Sequence, residues 1–107
     1  MEIKFLIYNK MVYYSMKDYR VLGFEKSKRK GKMYTAILEN KKTGKLITSL
    51  HFGASNYENY QDRTGLNAYP KLIHGDTKRR KNYRARHKNT LKSGYYSPGY
   101  FSYYYLW

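Results

Sequence analysis

The sequence predicts an α+β fold: a small antiparallel β-meander with one basic helix at about 77–88 and a packed C-terminal aromatic segment. Three observations predict it. Two β-rich runs, MYTAILE (33–39) and KLITSLHF (45–52), flank the turn-forming NKKTG. A dense basic run, KRRKNYRARHKN (78–89), follows closely on a capping residue, Asp76. The sequence closes on GYYSPGYFSYYYLW (94–107), in which eight of fourteen residues are aromatic. A length of 107 residues is one domain with a real but modest core. Within it, the nearly balanced charge of residues 1–25 sets them apart as an N-terminal extension or strand.

Taken in order, EIKFLIY (2–8) reads as a strand, and Phe5, Leu6 and Ile7 in succession suggest burial on both faces. MVYYSMKDY (11–19) supports no single assignment: Ser15 and Asp18 have the spacing of a capping box, with Asp a weaker third-position partner than Glu. Tyr19 to Phe24 is β-rich apart from Gly23, and SKRKGK (27–32) is a basic, turn-like loop. The hairpin follows, with a loop of four or five residues in which Gly44 supplies the left-handed position such loops need. In its first strand Tyr34, Ala36 and Leu38 share one face, and Thr35, Ile37 and Glu39 the other. With Tyr19–Glu25 ahead of it, the natural assembly is an antiparallel meander of three or four strands.

Residues 53–76 hold three Gly, one Pro and three Asn and are expected to be irregular, a functional loop or an arm. Tyr57 and Tyr60, three apart, fit one short helical turn. Asp76 is the expected N-cap of the basic helix, with Thr77 at its first position and Asn89 as its C-cap. At Ser97-Pro98 a second helix start is expected, because Pro is well placed at a first helical position. The aromatic run is then a short helix or turn packed back on the hairpin. In such a helix Tyr100, Tyr103, Tyr104 and Trp107 share one stripe, and Phe101 and Tyr105 another. So dense an aromatic run is tolerable only if buried, which leaves two readings: completion of this chain's own core, or a plug inserted into a neighbouring subunit. Base stacking would leave an exposed patch in the free protein.

Charge is the strongest compositional signal. There are 22 Lys and Arg against 7 Asp and Glu, a formal net charge of +15. Residues 1–25 carry four cations and three anions, residues 26–92 the other 18 cations with four acids, and residues 93–107 none of either. Self-repulsion at this density disfavours the compact state unless a polyanion or an acidic surface neutralises it. Tyrosine is the second signal, at 15 residues, and it suits interfaces and half-wet cores.

Both signals meet in the basic helix. Arg80, Arg84 and Lys88 fall at i, i+4 and i+8, and each like-charge pair costs about 0.2–0.5 kcal/mol. Lys78 and Arg79 in the first turn oppose the helix dipole. Tyr83 and Ala85 lie about 200° apart on the wheel, so no amphipathic core face is expected. Something must offset the repulsion: Arg and Lys stacked on Tyr faces inside the chain, phosphates, or carboxylates on a partner. The expected partner- or phosphate-binding residues are Lys78, Arg79, Arg80, Arg84, Arg86 and Lys88. The expected interface or core aromatics are Tyr100, Phe101, Tyr103, Tyr104 and Trp107.

Catalysis is not expected. His51, His74, Asp76, His87, Glu58 and Asp62 are the polar candidates, and the histidine spacings match no metal template. The paired carboxylates of hydrolases and two-metal nucleases are scarce among seven acids. A Gly-rich phosphate loop is missing, and with no Cys there is neither a thiol nucleophile nor a disulfide framework. No cofactor, metal or small-molecule substrate is expected. No run approaches the roughly 18 apolar residues of a membrane span, and MEIKFLIYNKM lacks the features of a secretory signal.

The ordered motifs HFG (51–53), YENYQDRTG (57–65), HGD (74–76), KRRKNYRARH (78–87) and SPGYFSYYYLW (97–107) resemble a family of short basic proteins of large nucleocytoplasmic DNA viruses. Its members carry a basic hairpin, then FG, an HxD turn, RRxxYxxRH and a SxxxFSxxYLW-like tail. The resemblance covers about residues 26–107. It implies a virion context and carries no established activity. On that basis the expected function is a virion structural protein, a minor capsid component of a large icosahedral double-stranded DNA virus, made in the infected cell and not secreted. Its partners would be capsid proteins. The alternative is a genome-packaging protein on double-stranded DNA, sequence-blind because no base-reading pattern is visible.

Overall fold

The computed structural model describes residues 13–91 and 93–107. The strand expected at 2–8 lies outside them. Five strands are present: β1 (Tyr14–Ser15), β2 (Tyr19–Lys26), β3 (Lys32–Asn40), β4 (Leu46–Ala54) and β5 (Tyr95–Tyr96). There are two α-helices, α1 (Thr77–His87) and α2 (Pro98–Phe101), with one 3₁₀ turn before α1 at Pro70–Leu72 and another after it at Lys88–Thr90. A π-helical turn over Ser102–Leu106 continues α2. The α+β class is as the sequence predicts.

The meander is the expected one, in the order β2-β3-β4 with both pairings antiparallel. The β3–β4 turn closes through Gly44, whose amide donates to the Asn40 carbonyl at 2.9 Å and whose φ is +74°. The Asn40 side chain reinforces it, accepting from the Lys42 and Thr43 amides. One bulge places an extra residue in β2, between Val21 and Gly23, and another an extra residue in β4 opposite Ala36–Leu38. Each raises local twist and lets the sheet curl around its contents. Tyr34, Ala36 and Leu38 are fully buried on the inner face, as expected from the period of two. The opposite face is covered at its start as well, since Met33 and Thr35 are also buried, and Thr35 bonds the ring of its cross-strand neighbour His51 at 2.7 Å.

Ser15 and Asp18 do not start a helix. They close the turn between β1 and β2: Ser15 Oγ donates to Asp18 Oδ2 at 3.0 Å and accepts from the Asp18 amide. A short polar side chain that can satisfy a backbone amide locally favours a turn as readily as a cap. β1 pairs with β5, tying the start of the described chain to the segment that leads into α2. β2 itself straddles residue 25.

The aromatic segment completes this chain's own core. Ser97 caps α2, accepting from the Tyr100 amide at 3.0 Å, with Pro98 in the first turn, as expected. Phe101, Leu106 and Trp107 are buried with Met33, Leu50 and Phe52. Phe24, Phe52 and Phe101 meet pairwise at 5.4–5.7 Å between ring centroids. The stripes expected from an α period do not describe the burial. A π turn repeats near i+5, which brings Leu106 under Phe101 and rotates Tyr104 out to solvent. The close approach is possible because residue 53 is glycine. A Cβ there would sit 2.9 Å from Leu106 Cδ1 and 3.0 Å from Met33 Sδ, and φ is +76°.

Residues 55–76 form a strap over the edge of this core. Tyr57 and Tyr60 share no helical turn: Tyr57 is 68% exposed, and Tyr60 packs against the core. The strap is held by its backbone instead. The Tyr60 and Gln61 amides donate to the Leu106 carbonyl at 3.0 and 3.1 Å, and Arg63 to that of Tyr105 at 2.9 Å. Asn59 bridges to Ile73. Buried Tyr34 anchors the middle of the strap, donating its hydroxyl to Asp62 and accepting from the Ala68 amide at 3.0 Å. Thr64 fixes the other Asp62 oxygen through its hydroxyl at 2.6 Å and its amide at 2.9 Å. Burial and the Asp62 carboxylate push the Tyr34 phenol up to about 12.

Candidate functional site

Asp76 starts α1 as the sequence predicts. Its Oδ1 accepts from the Lys78 amide at 2.9 Å and the Arg79 amide at 3.1 Å. The Arg79 amide bond chiefly holds its carboxyl below the ordinary range. The HGD turn is built for this: the Asp76 amide donates to His74 Nδ1 at 2.8 Å, and Gly75 takes a φ of +65°. Burial, then Arg79, depresses the imidazole of His74. α1 ends at His87, with Lys88 as C-cap entering a 3₁₀ turn, slightly short of the expected Asn89.

The helix does have a packed face, contrary to expectation. Arg80, Tyr83, Arg84 and His87 are half-buried, at the i, i+3, i+4, i+7 spacing of an amphipathic helix. Two of its four positions are arginines, whose stems and guanidinium planes pack although their charge reads as solvated. Arg80 lies 4.8 Å over the Tyr60 ring, and its Nε donates to the Trp107 main-chain oxygen at 2.7 Å. Arg84 lies 4.6 Å over the Tyr103 ring and donates to the Tyr103 and Trp107 oxygens at 3.4 Å. Tyr83 stacks on Trp107, with centroids 4.3 Å apart and planes 4° from parallel, and on His87 at 4.1 Å. The guanidinium planes and aromatic faces thus clamp the C-terminal segment against the helix. Ala85 is exposed.

The outer face carries the remaining cations. Lys78, Arg79, Lys81, Arg86 and Lys88 are exposed. Of the six expected contact residues, Lys78, Arg79, Arg86 and Lys88 therefore face solvent, while Arg80 and Arg84 face the chain's own tail. Arg79 is bridged to Glu58 of the strap at 2.9 Å, and this holds the Glu58 carboxyl below its ordinary range. Between α1, the strap and the tail lies an open cleft of about 550 Å³. Trp107, Tyr83 and Tyr57 supply its aromatic surface, and Arg79, Glu58 and Arg86 its charges.

Of the expected aromatics, Phe101 and Trp107 are core, Tyr100 and Tyr103 are half-buried, and Tyr104 is exposed. Leu106, as fully buried as Phe101, is a core residue that the aromatic pattern hid. Of the polar candidates, Glu58, His74 and Asp76 come together around Arg79 at the start of α1, while His51 and Asp62 lie apart from them. His51 bonds Thr35 and Ser27, Asp62 anchors the strap, Asp76 caps α1, and Glu58 pairs with Arg79. Among the described residues no group of three His, Asp or Glu could hold a metal ion, and no helix is long and apolar enough to cross a membrane. Glu58 and Tyr57 enter the site from the strap. Their sequence signal is an aromatic beside an acid in a segment, 53–76, that holds three acids against two cations in a strongly basic chain. Comparison with protein-family models, curated proteins and solved structures returned no match.

Proposed function

We propose that this chain is a non-catalytic virion structural protein, a minor capsid component, that docks on an acidic protein surface through the outer face of α1. The observation that carries this reading is the division of labour within the helix. Arg80 and Arg84 hold the chain's own tail, which leaves Lys78, Arg79, Arg86 and Lys88 displayed on a rigid frame. Glu58 at the rim favours a protein partner over a phosphate chain, since its carboxylate repels a continuous polyanion but tolerates discrete ones. The acids that a hydrolytic site would need instead anchor, cap or bridge. The virion setting comes from the resemblance of the ordered motifs.

Genome binding is the second reading. It draws on the exposed cations of the loops, Lys28, Arg29, Lys30, Lys41, Lys42 and Lys45, which lie outside the α1 cleft and suit a sequence-blind grip on phosphates. Extraction of opened virions separates the two. After nuclease digestion at physiological salt, a docked capsid protein stays with the shells. A genome-bound protein leaves with the DNA fragments, and that result would overturn the capsid reading.

A further inference from the structure

The cleft has one charge left over. Arg79 is matched by Glu58, whereas Arg86, two turns further along the same face of α1, is exposed and has no hydrogen-bond or ion-pair partner among the described residues. The wall between these charges is aromatic. Trp107 is almost fully buried and stacked on Tyr83, so it presents a fixed surface, and Tyr57 stands across the opening with 68% of its surface exposed. A large apolar side chain left this open beside an unmatched guanidinium is the composition of an interface centre: an aromatic anchor next to an arginine. Asn82 also lines the cleft and offers an amide to a main chain passing by.

We propose that this cleft is the docking site, and that its occupant is an extended segment of a partner protein bearing one carboxylate beside an aromatic or aliphatic side chain. The carboxylate lies on Arg86, and the apolar side chain lies between Tyr57 and the Trp107–Tyr83 stack. Charge complementarity selects this occupant: one unmatched cation takes one carboxylate, while Glu58 disfavours a second anion near it. Nucleic acid would bring a phosphate at every nucleotide and would gain little from so short a groove. The proposal rests on the reading that the chain docks on an acidic protein surface, and names the site and the chemistry of the docked segment.

Trp107 is the one tryptophan in the sequence, so the site carries its own reporter. The full chain is titrated with a blocked pentapeptide, Ala-Leu-Glu-Phe-Ala, with its Gln-for-Glu counterpart, and with a short DNA duplex at matched charge. A saturable change in Trp107 emission is expected with the Glu peptide, and binding about tenfold weaker with the Gln peptide. Arg86→Glu and Tyr57→Ala, both at exposed positions, should each weaken it by a similar factor while leaving the melting temperature unchanged. A peptide response that is absent or indifferent to both substitutions overturns the proposal, as does an equal response to the duplex. The same two variants are then assayed for retention on nuclease-treated shells. If the wild-type chain and both variants stay on the shells equally, the cleft is not the docking site although the capsid reading survives. If the wild-type chain is not retained, the capsid reading itself fails.

Discussion

Gly53→Ala tests the junction on which the fold depends. The new Cβ falls 2.9 Å from Leu106 Cδ1, 3.0 Å from Met33 Sδ and 3.2 Å from Met33 Cβ, all within the fully buried core. Two costs add. Holding alanine at a φ of +76° costs about 1–2 kcal/mol. Overpacking a closed core by one methyl costs about 1–3 kcal/mol more. A loss near 3 kcal/mol lowers Tm by roughly 12–24 °C in a domain this size. Gly31→Ala is the control, because φ there is +84° but nothing lies within 4 Å of the added Cβ. It should show the backbone cost alone. Leu106→Ala removes the nearest clashing atom, so combined with Gly53→Ala it should cost less than the sum of the single changes. Thermal and urea unfolding followed by circular dichroism give all four values. If Gly53→Ala costs no more than Gly31→Ala, or the cycle is additive, the π turn does not press on β4 as described.

The remaining predictions concern the strap, the clamp and the cap. Because the Tyr34 phenol is raised in the fold, its stabilisation is complete below about pH 10 and is lost as pH rises through about 12. Tyr34→Phe should therefore lower stability at neutral pH by about 1–3 kcal/mol, through the unpaired Ala68 amide and Asp62 Oδ2, and should flatten the alkaline limb of the stability–pH curve. Arg84→Ala should lower Tm and loosen Trp107, seen as a red shift in its emission, whereas Lys88→Ala should leave both unchanged and reduce only partner docking. Asp76→Ala should weaken the start of α1 without affecting any turnover. The depressed carboxyl of Asp76 contributes stability above its unfolded value that is lost as pH falls through its folded one, so this variant should also show a shallower loss of stability in acid.

The features visible in the sequence are those set by near neighbours. Gly44 after NKKT, the alternation from Tyr34 to Leu38, Asp76 before TKRR and Ser97 before Pro98 each act over a few residues, and each stands where expected. The features that were hidden depend on distant partners. Arg80 and Arg84 look like a solvated stripe until Trp107 and Tyr103 are brought beneath them. Leu106 is one aliphatic residue among tyrosines, and only the change of period from α to π puts it under Phe101. Ser15 and Asp18 could cap or turn, and the pairing of β1 with β5 decides for the turn. Asp62 read as a catalytic candidate because nothing local reveals that Tyr34, 28 residues away, is its partner. The cleft joins α1, the strap and the tail, so no window of sequence contains it.

Cross-linking mass spectrometry on intact purified virions tests the central claim, that the outer face of α1 meets another protein. The account predicts links from Lys78, Lys81 and Lys88 to capsid proteins, concentrated on acidic segments. Links confined to this chain and to DNA-associated core proteins, or the absence of the chain from virions, would contradict it.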